Sequence, residues 1–269
     1  MNRHDIAWAL AYIYVVFFAL SNILINMGWV ALIVGFLSSP LFFIIVYLIN
    51  SIINLGIRKS LAFLVMACSI SFIFEYLGVN YGVPFGHYRY TIAMGPEILG
   101  VPIYIPFLWA TLGYFTMEAA GNYYLAAIGM VALDAAFDPL LSGPVGLWRW
   151  MEKGQYFGVP STNFLGWFIV SIAFYLPFKL LTNYKPTINN KALIFYTTYY
   201  ASWILADLTT KLTQVGIAAT AILITYLTTL IITQRLKGKN PQLNCEAHDH
   251  GKCYGRFLIR NLMKRRIPP

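Results

Sequence analysis

Eight apolar runs divide the 269-residue chain, near residues 6–27, 30–55, 60–78, 102–121, 122–142, 163–182, 192–210 and 214–233. Each comes close to the roughly 20 residues that a helix needs to cross a bilayer. The fold class this predicts is all-α, a polytopic membrane helix bundle of about eight transmembrane helices. The first run reads as a span and not as a signal peptide, because its apolar stretch is too long and no cleavage site ends it. The turn between the fourth and fifth runs is very short, which leaves a seven-span bundle as the alternative.

Charge content agrees with a membrane solvent. Only 11% of the residues are charged, against about 25% in a soluble domain, and burying a core does not close that gap because a soluble surface still needs charges. Aromatic residues reach 17%, enough for interfacial belts, for packing, or for a wall around an apolar ligand.

The positive charge is unevenly placed. Nine of the 19 Lys and Arg residues fall between Arg235 and Arg266, as in a cytoplasmic tail beside anionic lipid; nothing suggests a folded nucleic-acid reader. With eight spans and the N-terminus inside, only Arg89, Arg149, Lys153 and Lys211 lie on outer segments. The positive-inside rule therefore predicts a multi-pass cell-membrane protein with both termini cytoplasmic. Residues 1–233 read as a single transmembrane domain and 234–269 as a basic tail. Cys245, His248, His250 and Cys253 crowd that tail at a spacing unlike a standard zinc finger, so it reads as a polar tail, with no metal or cofactor assigned.

Two outer loops, 79–101 and 143–162, are rich in Gly, Pro and aromatic residues. They are too apolar for solvent loops and are expected to fold back over the helix ends, lining a cavity. They also resemble each other. Tyr88-Arg89-Tyr90 precedes Gly100-Val101-Pro102, and Trp148-Arg149-Trp150 precedes Gly158-Val159-Pro160. Each loop follows a helix with an acid near its outer end, Glu75 or Asp138, which suggests a repeat of two helix–loop–helix units. On its own, an aromatic-Arg-aromatic triplet reads first as an interfacial anchor.

Ionisable residues inside spans are costly and so are functional candidates. They are Glu75, Glu118, Asp134, Asp138 and Asp207. At a rise of about 1.5 Å per residue, Glu75, Asp138 and Asp207 lie roughly 22–24 Å from the inner ends of their spans and Asp134 about 18 Å. These four share the outer half, beneath the two loops; Glu118 lies near an inner end and reads as structural. Asp134 and Asp138 share one helix face. Two carboxyls that close in a dry site do not both ionise readily, so one keeps its proton, and a neutral acid beside a carboxylate is an acid/base pair. The plainer reading is that these acids pair with Arg or Tyr and hold the bundle together. Pro139, directly after Asp138, disturbs the helix there and frees backbone carbonyls or merely kinks it. Asn163 opens the sixth span, where an N-cap is its plain reading. There is no nucleotide loop, zinc-protease His pair, Ser/His/Asp elbow or Asp-rich diphosphate motif, and His87 is the only His outside the termini.

The same residues carry a family resemblance. Glu75-x-x-Gly78, Gly82-Val-Pro-Phe-Gly86-x-Tyr88-x-Tyr90, Gly95-Pro96, Val101-Pro102 and Pro106-x-x-Trp109 form its first half. Asp134-x-x-x-Asp138-Pro139, Gly146-x-Trp148-x-Trp150, Gly154-x-Tyr156-Phe157-Gly158-x-Pro160 and Asn163-Phe164-x-Gly166-Trp167 form its second. Over about residues 70–170 the chain resembles the membrane carotenoid-biosynthesis proteins of the carotenoid 1,2-hydratase or bisanhydrobacterioruberin hydratase type. The resemblance implies cofactor-independent, acid-catalysed hydration of the terminal C=C of an acyclic carotenoid end group. Its partners would be a carotenoid or other apolar isoprenoid, the lipid bilayer and other membrane enzymes of the pathway. The resemblance assigns no catalytic residues; for such a reaction the residues themselves suggest Asp138 as the acid, Asp134 as its coupled partner and Glu75 as a water-holder or alternate acid. Tyr88, Arg89, Tyr90, Trp109, Trp148, Trp150, Tyr156, Asn163, Trp167 and Asp207 would surround the substrate. The rivals are a carotenoid cyclase or isomerase with the same protonation step, a proton-coupled small transporter, and a non-catalytic carotenoid-binding subunit.

Overall fold

In a computed structural model the chain is described over residues 2–24, 35 and 37–239. The cysteines and histidines of the tail, and part of the second apolar run, lie outside the described residues. Among those residues are eight α-helices: α1 (Arg3–Leu24), α2 (Pro40–Leu55), α3 (Ile57–Tyr81), α4 (Ile105–Ala120), α5 (Tyr123–Ser142), α6 (Ser161–Thr182), α7 (Asn190–Thr209) and α8 (Thr213–Lys239). The fold is an all-α membrane bundle.

Local chemistry sets the helix boundaries. Ser39 caps α2 by accepting the Phe42 N–H, with Pro40 in the first turn. Gly121 ends α4 in the left-handed conformation, and Asn122 starts α5 by accepting the N–H groups of Tyr124 and Leu125. That two-residue break makes the fourth and fifth runs two helices and not one. By length and composition five helices can cross a membrane: α1, α3, α5, α6 and α8. Helix α2 is apolar but shorter, and α4, like α2, has 16 residues. Of the five, α5 is the most enclosed, with 72% of its apolar window buried against 28–33% for the others, which turn apolar faces such as Val65, Ile73, Ile217 and Ile224 outward.

Helices α3, α4, α5 and α6 close a ring, each packed on the next and α6 on α3. Helix α7 packs against α1 and α4, and α2 against α1, α3 and α4. The largest fully buried side chains are all Tyr or Phe. Their rings stack directly, Tyr14 on Phe43 at 4.4 Å and Phe115 on Phe195 at 4.2 Å between centroids, so many of the aromatic residues serve packing. The chain divides into two units, Met1–Tyr226 and Leu227–Pro269, and the residues described below all belong to the first.

The two loops pack over the ends of the ring as expected. Strands β1 (Tyr88–Tyr90) and β4 (Trp148–Trp150) pair antiparallel, while β2 (Glu97–Ile98) and β3 (Val101–Pro102) form a tight hairpin. The hairpin turns on Leu99 and Gly100, both at positive φ, the two-residue turn whose twist suits a hairpin. Side chains tie one loop to the other: Thr91 Oγ1 donates to Gly146 O at 2.8 Å, and Thr162 Oγ1 to Phe85 O at 2.9 Å.

Candidate active site

The two aromatic-Arg-aromatic triplets meet each other. Tyr88 lies opposite Trp150, Arg89 opposite Arg149 and Tyr90 opposite Trp148. Strand side chains alternate between faces, so the four aromatic rings take one face of the ribbon and both arginines the other. Arg89 and Arg149 are exposed. Of the plainer reading in which the acids pair with Arg or Tyr, the structure shows the Tyr partners and not the Arg ones, and Arg89, expected beside the substrate, points away from the acids.

Under the aromatic face each half of the repeat holds one acid. Glu75, on α3, accepts from Tyr88 and Tyr90 through Oε2, the Tyr90 bond being 2.7 Å, and from Trp109 Nε1 on α4 through Oε1 at 2.7 Å. Asp138, on α5, accepts from Trp148 Nε1 at 2.9 Å and Trp150 Nε1 at 3.2 Å through Oδ1, and from Asn163 Nδ2 on α6 through Oδ2 at 2.8 Å. In each unit an acid on the first helix is bound by two aromatic residues of the following strand and by one donor on the second helix. Burial, and then the charge of Glu75, push the phenols of Tyr88 and Tyr90 well above their usual range, so both keep the protons they donate.

The motif glycines make this geometry possible. A Cβ at Gly78 would lie 2.8 Å from the Phe85 ring and 2.9 Å from the Tyr88 hydroxyl. A Cβ at Gly166 would lie 2.5 Å from Phe85. Both positions must be bare for the first loop to pack against α3 and α6.

Asp134 breaks the symmetry. It lies one turn before Asp138 on α5; its Oδ2 accepts from Asn163 Nδ2 at 2.7 Å, and its Oδ1 has no partner. The amide of Asn163 thus bridges both aspartates. Asn163 is not the cap of α6, a place held by Pro160; it sits inside the first turn with its side chain turned to the carboxyls. Helix α5 continues through Pro139. A proline has no N–H, so the carbonyl four residues earlier, Ala135 O, lacks its helical partner. The Tyr156 hydroxyl supplies it, at 3.1 Å. The carbonyl that Pro139 frees is thus taken up by the second loop, and Ala135 is not on the lining of the cavity described next.

Glu75, Asp134, Asp138, Asn163, Trp109, Trp148, Trp150, Trp167, Tyr88 and Tyr90 all line one cavity of about 210 Å³. Trp109 and Trp167 stack at 4.1 Å on its wall. Arg89, Tyr156 and Asp207 are not on that lining. Tyr156 is held on the backbone of α5 instead, and Asp207 is buried near the end of α7. Glu118 accepts from the Tyr184 hydroxyl at 2.6 Å, away from the cavity, a structural tie. Sequence reasoning missed the far wall, where Tyr14 and Phe18 of α1, Phe43 of α2, and Tyr199 and Trp203 of α7 close the cavity. Nothing local marks those rings within their apolar runs, though Trp203 lies one turn from Asp207.

The family of carotenoid biosynthesis proteins matches residues 27–232, a range that takes in all of these site residues except Tyr14 and Phe18. The chain belongs to the carotenoid biosynthesis protein family. The match is wider than residues 70–170 and takes in helices α2, α7 and most of α8. Over 136 residues, covering 45% of each chain, the sequence is 31% identical to bisanhydrobacterioruberin hydratase of Haloarcula japonica. In that match the chain spans less than half the length of the curated relative. No solved structure matches it. A multi-pass membrane protein of carotenoid biosynthesis thus has three carboxyls converging on one aromatic-lined cavity.

Proposed function

We propose that this protein hydrates the terminal C=C of an acyclic carotenoid end group by acid catalysis without a cofactor. The observation that carries the reading is the convergence of Glu75, Asp134 and Asp138 on one cavity walled by aromatic rings, with Asp134 Oδ1 left without a partner. Hydrating an isolated trisubstituted alkene needs an acid, a wall that tolerates a cation without attacking it, and one held water.

The donor sets divide these roles. Indole N–H groups only donate, so Asp138 Oδ1, which faces two of them, is an acceptor. Glu75 likewise accepts on both oxygens. Asp134 takes the acid role first expected of Asp138, because it alone keeps an oxygen free to present a proton. That proton goes to the less substituted alkene carbon; the π electrons form the C–H bond and leave a tertiary cation. The faces of Trp109, Trp148, Trp150 and Trp167 stabilise the cation, and Glu75 adds a negative charge. Water held by Asp138 then bonds to the cationic carbon and gives its extra proton to Asp138.

The test is expression in a host that makes acyclic carotenoids, followed by mass spectrometry of the pigments. A gain of one water per reacted end is expected. A product of unchanged mass with a ring would make the protein a cyclase, and unaltered pigment would leave a binding subunit or transporter. The proposed topology has both termini in the cytoplasm, on the strength of the basic-residue asymmetry. Reporter fusions at the two ends should agree; opposite locations would overturn it.

A further inference from the structure

Three of the indoles on the cavity lining give their N–H groups to carboxyls: Trp109 to Glu75, and Trp148 and Trp150 to Asp138. Trp203, on the wall supplied by α7, does not. It is 9% exposed, and its Nε1 is buried without a hydrogen-bond partner among the described residues. The Tyr199 hydroxyl, one turn earlier on α7, is close enough to interact but is not placed to accept. Asp207, one turn later, is likewise without a partner and is not on the cavity lining.

Neighbouring rings hold this indole in place. It packs against Phe18 of α1 at 4.8 Å and against Phe137 of α5 at 5.3 Å between centroids. From Phe137 the rings continue through Trp167 to Trp109, the donor to Glu75. One aromatic wall therefore joins a bound acid to a donor with nothing bound. Size limits what that donor meets. A cavity of about 150 Å³ takes a benzene molecule; this one, of about 210 Å³, takes one end of a carotenoid and not the whole chain. Chemistry limits it further. An indole N–H donates and does not accept. An alkene face offers it only a weak contact, and a saturated carbon offers none. Buried donors are satisfied by acceptors, and the acceptor that an acyclic carotenoid end group carries is an alcohol oxygen.

We propose that Trp203 Nε1 is the donor of a hydroxyl-binding subsite, which holds an alcohol oxygen on the carotenoid end group. The inference rests on the reading of the cavity as a carotenoid site. Two sources supply the same chemistry: the tertiary hydroxyl that hydration installs, and a hydroxyl that the end group already carries farther along the chain. Trp203 is thus a specificity residue, since a hydrocarbon end leaves its N–H unpaired and an alcohol pairs it.

The experiment is equilibrium binding to the full-length protein in lipid nanodiscs, read from the shift in pigment absorption. The ligands are acyclic carotenoids whose saturated ends have no alkene to hydrate. One is a hydrocarbon, one bears a tertiary hydroxyl at the carbon that hydration would fill, and one bears a hydroxyl farther along. The wild-type protein should bind one of the alcohols about three- to tenfold more tightly than the hydrocarbon, the usual net worth of a hydrogen bond. Which alcohol it prefers identifies the source. Trp203→Phe, which keeps a ring and loses the N–H, should bring the affinities to within about twofold of one another. The isosteric benzothienyl analogue of tryptophan at position 203, with sulfur in place of N–H, should do the same and carries the test should Trp203→Phe fail to fold. No preference in the wild type, or a preference that survives loss of the N–H, would overturn the subsite. Turnover is not read, so a failure of the hydratase reading, seen in product masses, leaves this result standing. A wild-type protein that binds none of the three would overturn the subsite together with carotenoid occupancy of the cavity.

Discussion

Glu75 and Asp138 occupy matching places in two helix–strand–helix units, yet the two halves differ one turn deeper. The position before Glu75 is Ser71, whose hydroxyl folds back on its own helix to Cys68 O at 3.3 Å. The position before Asp138 is Asp134, which lines the cavity and has an oxygen to spare. A repeated scaffold thus holds two acids in similar cradles, and the second half carries an additional carboxyl. The comparison teaches that the repeated frame supplies donors to both oxygens of Glu75 and of Asp138, while the carboxyl added in the second half keeps one oxygen without a donor.

Asp134→Asn should break the comparison most sharply. Product formation should fall by about two to four orders of magnitude, the usual worth of a positioned acid, with pigment binding and protein yield kept because Asn fits the same space. Pigment turnover per folded protein checks this; near-normal turnover would return the acid role to Asp138. Glu75→Gln should act mainly through stability, with a loss of turnover smaller than that of Asp134→Asn from the charge it removes beside the cation. Its amide places a donor among three donors, leaving buried groups unpaired at a cost of about 1–3 kcal/mol, read as a lower unfolding midpoint in detergent. A loss of turnover as large as that of Asp134→Asn, with stability intact, would make Glu75 the acid. Gly78→Ala sharpens the structural side. Its methyl displaces the Tyr88 hydroxyl and the Phe85 ring, and overpacking of this kind costs about 1–3 kcal/mol. Replacing Tyr90 by Phe removes one hydrogen bond to Glu75, worth about 1 kcal/mol. The smallest effect is expected from Arg89→Gln and Arg149→Gln together, within about 0.5 kcal/mol, because both side chains face away from the acids. A larger loss of turnover there would mean that the exposed face of the ribbon takes part in the reaction.

Much of the site is legible in the amino-acid sequence. Ionisable side chains in hydrocarbon are expensive enough that Glu75, Asp134 and Asp138 stand out individually, and the spacing of 134 and 138 places them on one face. The likeness of the two loops points to a repeat. Asp207 stands out for the same reason of cost, but the arithmetic of depth that groups it with the other acids carries no information on which way a helix is turned, and its side chain does not face the cavity. Arg89 is misplaced by sequence reasoning because a triplet does not reveal that it will be a strand; pairing with β4 makes its side chains alternate, and alternation sends the arginine outward.

What the sequence by itself determined is the solvent and the elements: apolar runs of membrane length, a very short turn between the fourth and the fifth, and few acids in so apolar a chain that each is conspicuous. These are local or compositional facts, readable within one helix turn or one window. What only the tertiary structure decided is the partnership: Tyr88 across from Trp150, Asn163 spanning two aspartates, Tyr156 supplying the bond that Pro139 withholds from Ala135, and the aromatic wall from α1, α2 and α7. Each joins residues far apart along the chain, and which oxygen of which carboxyl is left without a donor depends on where every one of those donors comes to rest.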